Sequence, residues 1–252
     1  MLYLVGLGLC DEKDISLKGL EILKECEKVY FEGYTNLWFG DLKELEKLIG
    51  KKIERLKRKD LEENFEEILV EAKKKKVAIL VPGDPLIATT HSTLILEALK
   101  RNIETQVVHS SSIISATAET GIHVYKIGSI LTIPLKEKVE LPVSIYQKIK
   151  ENKKRGLHTL CLLDLDVEKQ KFLTVRKALE ILLQLEERFK ENVISKEEEI
   201  VVGSKLGCKD SKIWFGKVEK FLNLKIELPA VILIPGKLHF MEKEFLEKFR
   251  LT

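Results

Sequence analysis

Nine residues constrain this chain more than any others: Val77-Ala78-Ile79-Leu80-Val81-Pro82-Gly83-Asp84-Pro85. Their unbroken apolar run reads as a strand buried on both faces of a parallel sheet. It ends in prolines that cannot donate to a ladder and a glycine that lets backbone pass close to a ligand. In open α/β sheets, ligands collect just beyond the carboxyl ends of the strands. Asp84 therefore stands where a small-molecule site is expected. Turn chemistry alone also accounts for these residues, with Asp84 capping the next helix.

The segments around this strand alternate. Residues 2–5 read as a first buried strand, closed by Gly6-Leu7-Gly8-Leu9. Asp14 or Ser16 can cap a helix to about residue 28, with Leu17, Leu20, Leu23 and Val29 on its apolar face. Strands follow at 29–32, 53–56 and 103–108, and helices at 42–49, 61–76 and 89–101. The alternation stops at His109-Ser110-Ser111-Ser112, which places a domain boundary near residue 110. Ser111 or Ser112 can equally cap a helix through Ile113, Ile114 and Ala118. Beyond it, strands are expected at 126–133 (broken at Gly128), 157–164, 199–204, 212–215 and 230–234. Helices are expected at 143–152 and from Thr174 to Phe189, the latter turning Ala178, Ile181, Leu182 and Leu185 inward. Successive strands without a helix between them indicate a mixed sheet. The expected architecture is two α/β domains, residues 1–109 with a mainly parallel sheet and 110–252 with a mixed one.

Composition removes several classes of function. Lysine and arginine number 43 against 40 aspartate and glutamate, a net charge of +3. The two signs are interleaved, so no nucleic-acid stripe is present. No apolar run reaches the roughly 18 residues of a membrane span, and the first strand is too short for a signal-peptide core. Cys10, Cys26, Cys161 and Cys208 include no C-x-x-C pair, as expected of reduced thiols in a cytoplasmic protein.

Familiar catalytic motifs are missing. Gly6-x-Gly8 lacks the third glycine of a dinucleotide fingerprint, where Asp11 stands, and the acidic 10–14 loop would repel a pyrophosphate. His91, His109, His123, His158 and His239 are too scattered for a metal set, and each reads as a packing or surface residue. No nucleophile elbow or triad is present. Residue chemistry alone leaves an α/β protein with ligand-facing strand ends and no acid, base or metal machinery. A reaction that fits is transfer from a cofactor carrying its own activation.

Gly6-Leu7-Gly8-Leu9, Asp14-Ile15-Ser16-Leu17-Lys18-Gly19-Leu20, Pro82-Gly83-Asp84-Pro85 and Ala88-Thr89-Thr90-His91 together resemble the tetrapyrrole-methylase-like (class III) S-adenosylmethionine-dependent methyltransferases. Four further segments narrow the resemblance to one branch: Ser112-Ile113, 121–128, 156–160 and 235–239. That branch methylates the amino group of a 3-amino-3-carboxypropyl histidine on translation elongation factor 2. The resemblance implies a homodimer with S-adenosyl-L-methionine in the cleft between the two α/β domains, three methyl transfers, and S-adenosyl-L-homocysteine as product. Carried over by position, the cofactor contacts are Leu9, Asp84, Ile87, Ser112, Ile113, Leu163, Leu206 and Ala230. The chain departs from the family pattern at Cys10 and around 204–207, next to Leu206. No metal is implied, and no side chain is assigned as catalytic. Two other readings stay open: a tetrapyrrole or corrinoid precursor as substrate, and a non-catalytic ligand-binding module.

Overall fold

The computed structural model describes residues 1–138 and 141–251. The chain divides into two compact units, the first comprising Met1–Ile113 with Val167–Lys169 and the second the remainder.

The first unit runs β1 (Leu2–Gly6), α1 (Leu17–Glu25), β2 (Lys28–Glu32), α2 (Leu42–Ile49), β3 (Glu54–Leu56), α3 (Arg58–Glu62), α4 (Glu66–Lys74), β4 (Val77–Val81), α5 (Ser92–Lys100) and β5 (Thr105–Val108). Its five strands lie in the order β3-β2-β4-β1-β5, and every pairing is parallel. Period-two alternation sends Val77, Ile79 and Val81 to one face, against Leu69 of α4 and Leu94 of α5. Ala78 and Leu80 face the other way, against Leu23 of α1 and Leu45 of α2. β4 is therefore covered on both sides, as its apolar run requires.

Strand order locates the ligand edge. The chain leaving β1 crosses to β2, on the far side of β4, whereas the chain leaving β4 crosses to β5, on the far side of β1. Connections that diverge from neighbouring strands open a crevice at their carboxyl ends. That crevice lies between the glycine turn after β1 and the Pro82–Pro85 turn after β4.

The second unit holds α6 (Ile113–Ala116), which starts at its border, then β6 (Leu131–Ile133), α7 (Val143–Lys154), β7 (Thr159–Leu163), the short pair β8 (Leu165–Asp166) and β9 (Lys171–Phe172), α8 (Val175–Phe189), β10 (Glu199–Ser204), β11 (Lys212–Lys217), α9 (Val218–Phe221), β12 (Ala230–Ile234) and α10 (Phe240–Glu247). Its main sheet has the order β11-β10-β12-β7-β6. It is mixed: β6 and β7 are parallel and the other neighbours antiparallel. Ala178, Ile181, Leu182 and Leu185 of α8 are buried against this sheet's core. Thr174 caps α8 by accepting the Lys177 amide.

Several local expectations are corrected. Leu17 is 79 % exposed rather than core-facing, because Ser16 caps α1 and leaves Leu17 on its first, outward-facing turn. The helix expected over 61–76 is two helices, since Asp60 accepts the Lys57 amide and starts α3 early, and the chain re-enters a helix only at Glu66. The strand expected over 126–133 survives only as β6. The buried Asn152 side chain bonds both Ser129 N (3.0 Å) and Ser129 O (3.0 Å), taking those groups from the ladder. Cys26 and Cys161 are buried free thiols.

Candidate functional site

Main-chain hydrogen bonds tie together the two turns flanking the crevice. Gly83 N donates to Gly8 O at 2.7 Å, and Gly8 N donates to Gly83 O at 3.3 Å. This closeness depends on missing side chains. A Cβ on Gly6 would lie 2.7 Å from both Gly83 O and the Ser110 Cβ, and Gly83 itself has φ +74°, a conformation that favours glycine.

Asp84 is nearly buried, at 6 % exposure. Its Oδ1 accepts the Leu86 amide at 3.0 Å. Oδ2 accepts the Ser110 amide at 3.2 Å and lies 2.8 Å from His109 Nδ1. The carboxylate thus joins the end of β4 to the segment after β5. Ile87 closes the turn, its amide donating to Asp84 O at 3.3 Å. Leu9 follows the Gly8 bridge and is partly exposed, Ser112 is buried, and Ile113 is partly exposed. These five expected contacts all belong to the first unit.

The other three share one edge of the second unit's sheet. Ala230 opposes Ser204, and the next residue, Val231, opposes Leu162, so Ala230 and Leu163 sit side by side at the carboxyl end of β7. Leu206 is buried and folds back over Gly203, where an added Cβ would meet its side chain.

A buried polar cluster that the sequence reading did not single out lies beside the crevice. Glu32 ends β2, next to β4, and is fully buried. It accepts the Thr35 hydroxyl at 2.6 Å and the Thr35 amide at 3.3 Å. Burial pushes its carboxyl up to about 8, against the opposing pull of Thr35, Tyr34 and Arg58. His91 Nδ1 donates to Pro85 O at 3.0 Å, because a carbonyl can only accept. Its Nε2 has no hydrogen-bond partner among the described residues and lies 3.9 Å from Glu32 Oε1. Burial lowers the His91 pKa, so both groups are held neutral. A carboxylate closing an otherwise apolar strand was the sequence signal for Glu32.

This raised pKa has a measurable consequence. Between pH 4.5 and about 8 the unfolded chain ionises Glu32 while the folded protein keeps the proton. The folded state then binds more protons, so this group's contribution falls as pH rises through that window. Glu32→Gln is expected to unfold at a higher temperature than the parent at pH 8, with the gap closing towards pH 4.5. Equal melting temperatures across the range would show that Glu32 is ionised in the fold.

A second network lies in the other unit. Glu242, in the first turn of α10, is fully buried. It accepts the amides of His123 (2.8 Å) and His239 (2.7 Å), His158 Nε2 (3.0 Å) and the Lys126 ammonium. Gly236 N donates to His158 Nδ1 at 2.9 Å, which fixes the neutral tautomer. Burial pushes the Glu242 carboxyl up, but the His239 amide, Lys126, the His123 amide and His158 outweigh it and hold it at about 2. Three segments flagged in the sequence, 121–128, 156–160 and 235–239, meet on this one carboxylate. Nothing in its own segment marks it out, because a glutamate among other charged residues looks solvated. Among the described residues no group of histidine, cysteine, aspartate and glutamate is arranged to hold a metal ion.

Residues 1–222 match the family model described as Tetrapyrrole (Corrin/Porphyrin) Methylases. The chain is thus a methyltransferase of that family, and its two-sheet architecture is the family's. The chain is 43 % identical over 251 residues to the diphthine synthase of Methanocaldococcus jannaschii, covering 98 % of each chain. It is 40 % identical over 249 residues to that of Methanococcus maripaludis, again covering 98 % of each. A solved diphthine synthase superposes with TM-score 0.89 at 35 % identity, covering 99 % of this chain and 95 % of that one. Within the methylase family, the chain belongs to the diphthine synthases.

Proposed function

We propose that this protein transfers methyl groups from S-adenosyl-L-methionine to the amino group of a 3-amino-3-carboxypropyl histidine on translation elongation factor 2. Three transfers give diphthine, within diphthamide biosynthesis, with S-adenosyl-L-homocysteine released each time. The observation that carries this reading is the end-to-end match to diphthine synthases, at 43 % identity in the first case. Cytoplasmic location, a homodimer and a domain boundary near residue 110 belong to the same proposal. Among the described residues no helix is long and apolar enough to cross a membrane.

The crevice suits such a cofactor. Main-chain bonds between Gly8 and Gly83 hold its two turns together, and the nearby 10–14 loop is acidic, which favours a cationic sulfonium over a pyrophosphate. The first unit offers Leu9, Asp84, Ile87, Ser112 and Ile113 as contacts. Leu163, Leu206 and Ala230 are the second unit's contacts. Asp84 acts mainly by holding the turn, since both its oxygens are taken by Leu86, Ser110 and His109. The bound cofactor supplies an electrophilic methyl on a sulfonium. The protein's part is to place an amine in line with that methyl and exclude water, and alignment of this kind is worth about 7–11 kcal/mol. No side chain is assigned as proton acceptor.

The test incubates the protein and labelled cofactor with elongation factor bearing the modified histidine and, separately, with a tetrapyrrole precursor. Label on the factor, with three methyl groups by mass spectrometry, is expected. Label on the tetrapyrrole alone would overturn the substrate assignment. No binding of S-adenosylhomocysteine at millimolar concentration would overturn the enzyme.

A further inference from the structure

The Glu242 network lies at the opposite end of its sheet from the proposed cofactor contacts. His158 immediately precedes β7 and Gly236 follows β12, whereas Leu163 and Ala230 stand at the other ends of those strands. Five-residue strands separate the two edges by roughly 13 Å. The network is therefore no part of the methyl-transfer edge, yet it uses a buried carboxylate to hold two loops and a helix start in place.

Those loops present a row of four rings. Tyr125 stacks on His123 at 5.2 Å between centroids, His123 meets His239 at 5.5 Å, and His239 meets Phe240 at 4.3 Å. Tyr125 is 82 % exposed and Phe240 70 %. Lys237 N donates to Gly156 O at 3.1 Å, which brings the exposed Lys154 and Arg155 beside Lys237. None of these three cations forms an ion pair among the described residues. Rigid aromatic rings edged by free positive charge suit an acidic protein surface better than a small ligand. The methylase family match stops at residue 222, short of His239 and all of α10, whereas matches to diphthine synthases cover 98 % of the chain.

We infer that this ring row and its basic rim form a docking surface for an acidic segment of the protein substrate, away from the reacting side chain. The inference rests on the proposed function, because a macromolecular substrate can reach both edges of the sheet and a tetrapyrrole cannot. Glu242 is a positioning residue here; the contacts come from Tyr125, Phe240, Arg155 and Lys237.

The experiment compares the full chain with Phe240→Ser and with the double variant Arg155→Glu/Lys237→Glu, using elongation factor bearing the modified histidine. KM for the factor is expected to rise about tenfold or more, with kcat at saturation and S-adenosylhomocysteine affinity unchanged. Added salt should raise KM steeply in the parent and weakly in the double variant. Unchanged KM in both variants would overturn the inference. A fall in molar mass by light scattering would also overturn it, by assigning the surface to a second copy of the chain. If the parent binds S-adenosylhomocysteine but leaves the factor unmethylated, the proposed function fails and this inference with it. An active parent with unaffected variants defeats the inference alone.

Discussion

Asp84→Ala is expected to weaken S-adenosylmethionine binding by one to two orders of magnitude while the fold survives. The carboxylate's three partners come from two segments: Leu86 within its own turn, and His109 and Ser110 after β5. Removing it strands two backbone amides, and each buried donor left unsatisfied costs about 1–3 kcal/mol. One tenfold step in affinity is about 1.4 kcal/mol, so partial rehydration of the freed amides still leaves a clear loss. Asp84→Asn should recover only part of it, since its single carbonyl oxygen replaces two acceptor atoms. Calorimetry with S-adenosylhomocysteine, alongside circular dichroism, reads the result. Parental affinity in a folded Asp84→Ala protein would return the residue to a turn-forming role without bearing on the cofactor.

Glu242→Ala is expected to have the largest effect on stability. Four donors converge on this carboxylate, and one of them is a lysine ammonium. Breaking a buried charge pair by removing one partner typically costs about 3–5 kcal/mol. For a chain of this size each kcal/mol lowers the unfolding temperature by roughly 2–4 °C. The pH dependence supplies a separate check. Glu242 is held at about 2 against an ordinary 4.5, so its contribution is complete above pH 4.5 and is lost as pH falls through about 2. The parent should lose its advantage over the variant across that acid range. A melting temperature within a degree or two of the parent's at neutral pH would mean that water replaces the carboxylate at little cost.

Periodicity made the frame legible, and burial of charge concealed the rest. β4, β10 and β12 could be read because continuous apolar runs have few other uses, and α8 because Thr174 and its inward leucines agree. β6 was overextended because the competing partner, Asn152, lies on α7 and leaves no trace in the strand's own sequence. α10 went unpredicted because only Leu246 and Glu242 of its eight residues are buried. At the site, Gly6, Gly8 and the Pro82–Pro85 turn stood out through their backbone chemistry. Glu32, His91 and Glu242 owe their character to neighbours distant in sequence. His91 and Glu32 are 59 positions apart, and Glu242 and His158 are 84 apart.

The link between Gly8 and Gly83 is made wholly of main chain. A frame of that kind records no side-chain identity, so Leu9, Leu86 and Ile87 can drift without renegotiating the geometry that holds them. Such an arrangement lets one scaffold diversify its clientele by point substitution at the lining while the three glycines stay fixed. For protein engineering, the lining positions of this cradle are the inexpensive ones to vary, and Gly6, Gly8 and Gly83 are the ones to leave alone.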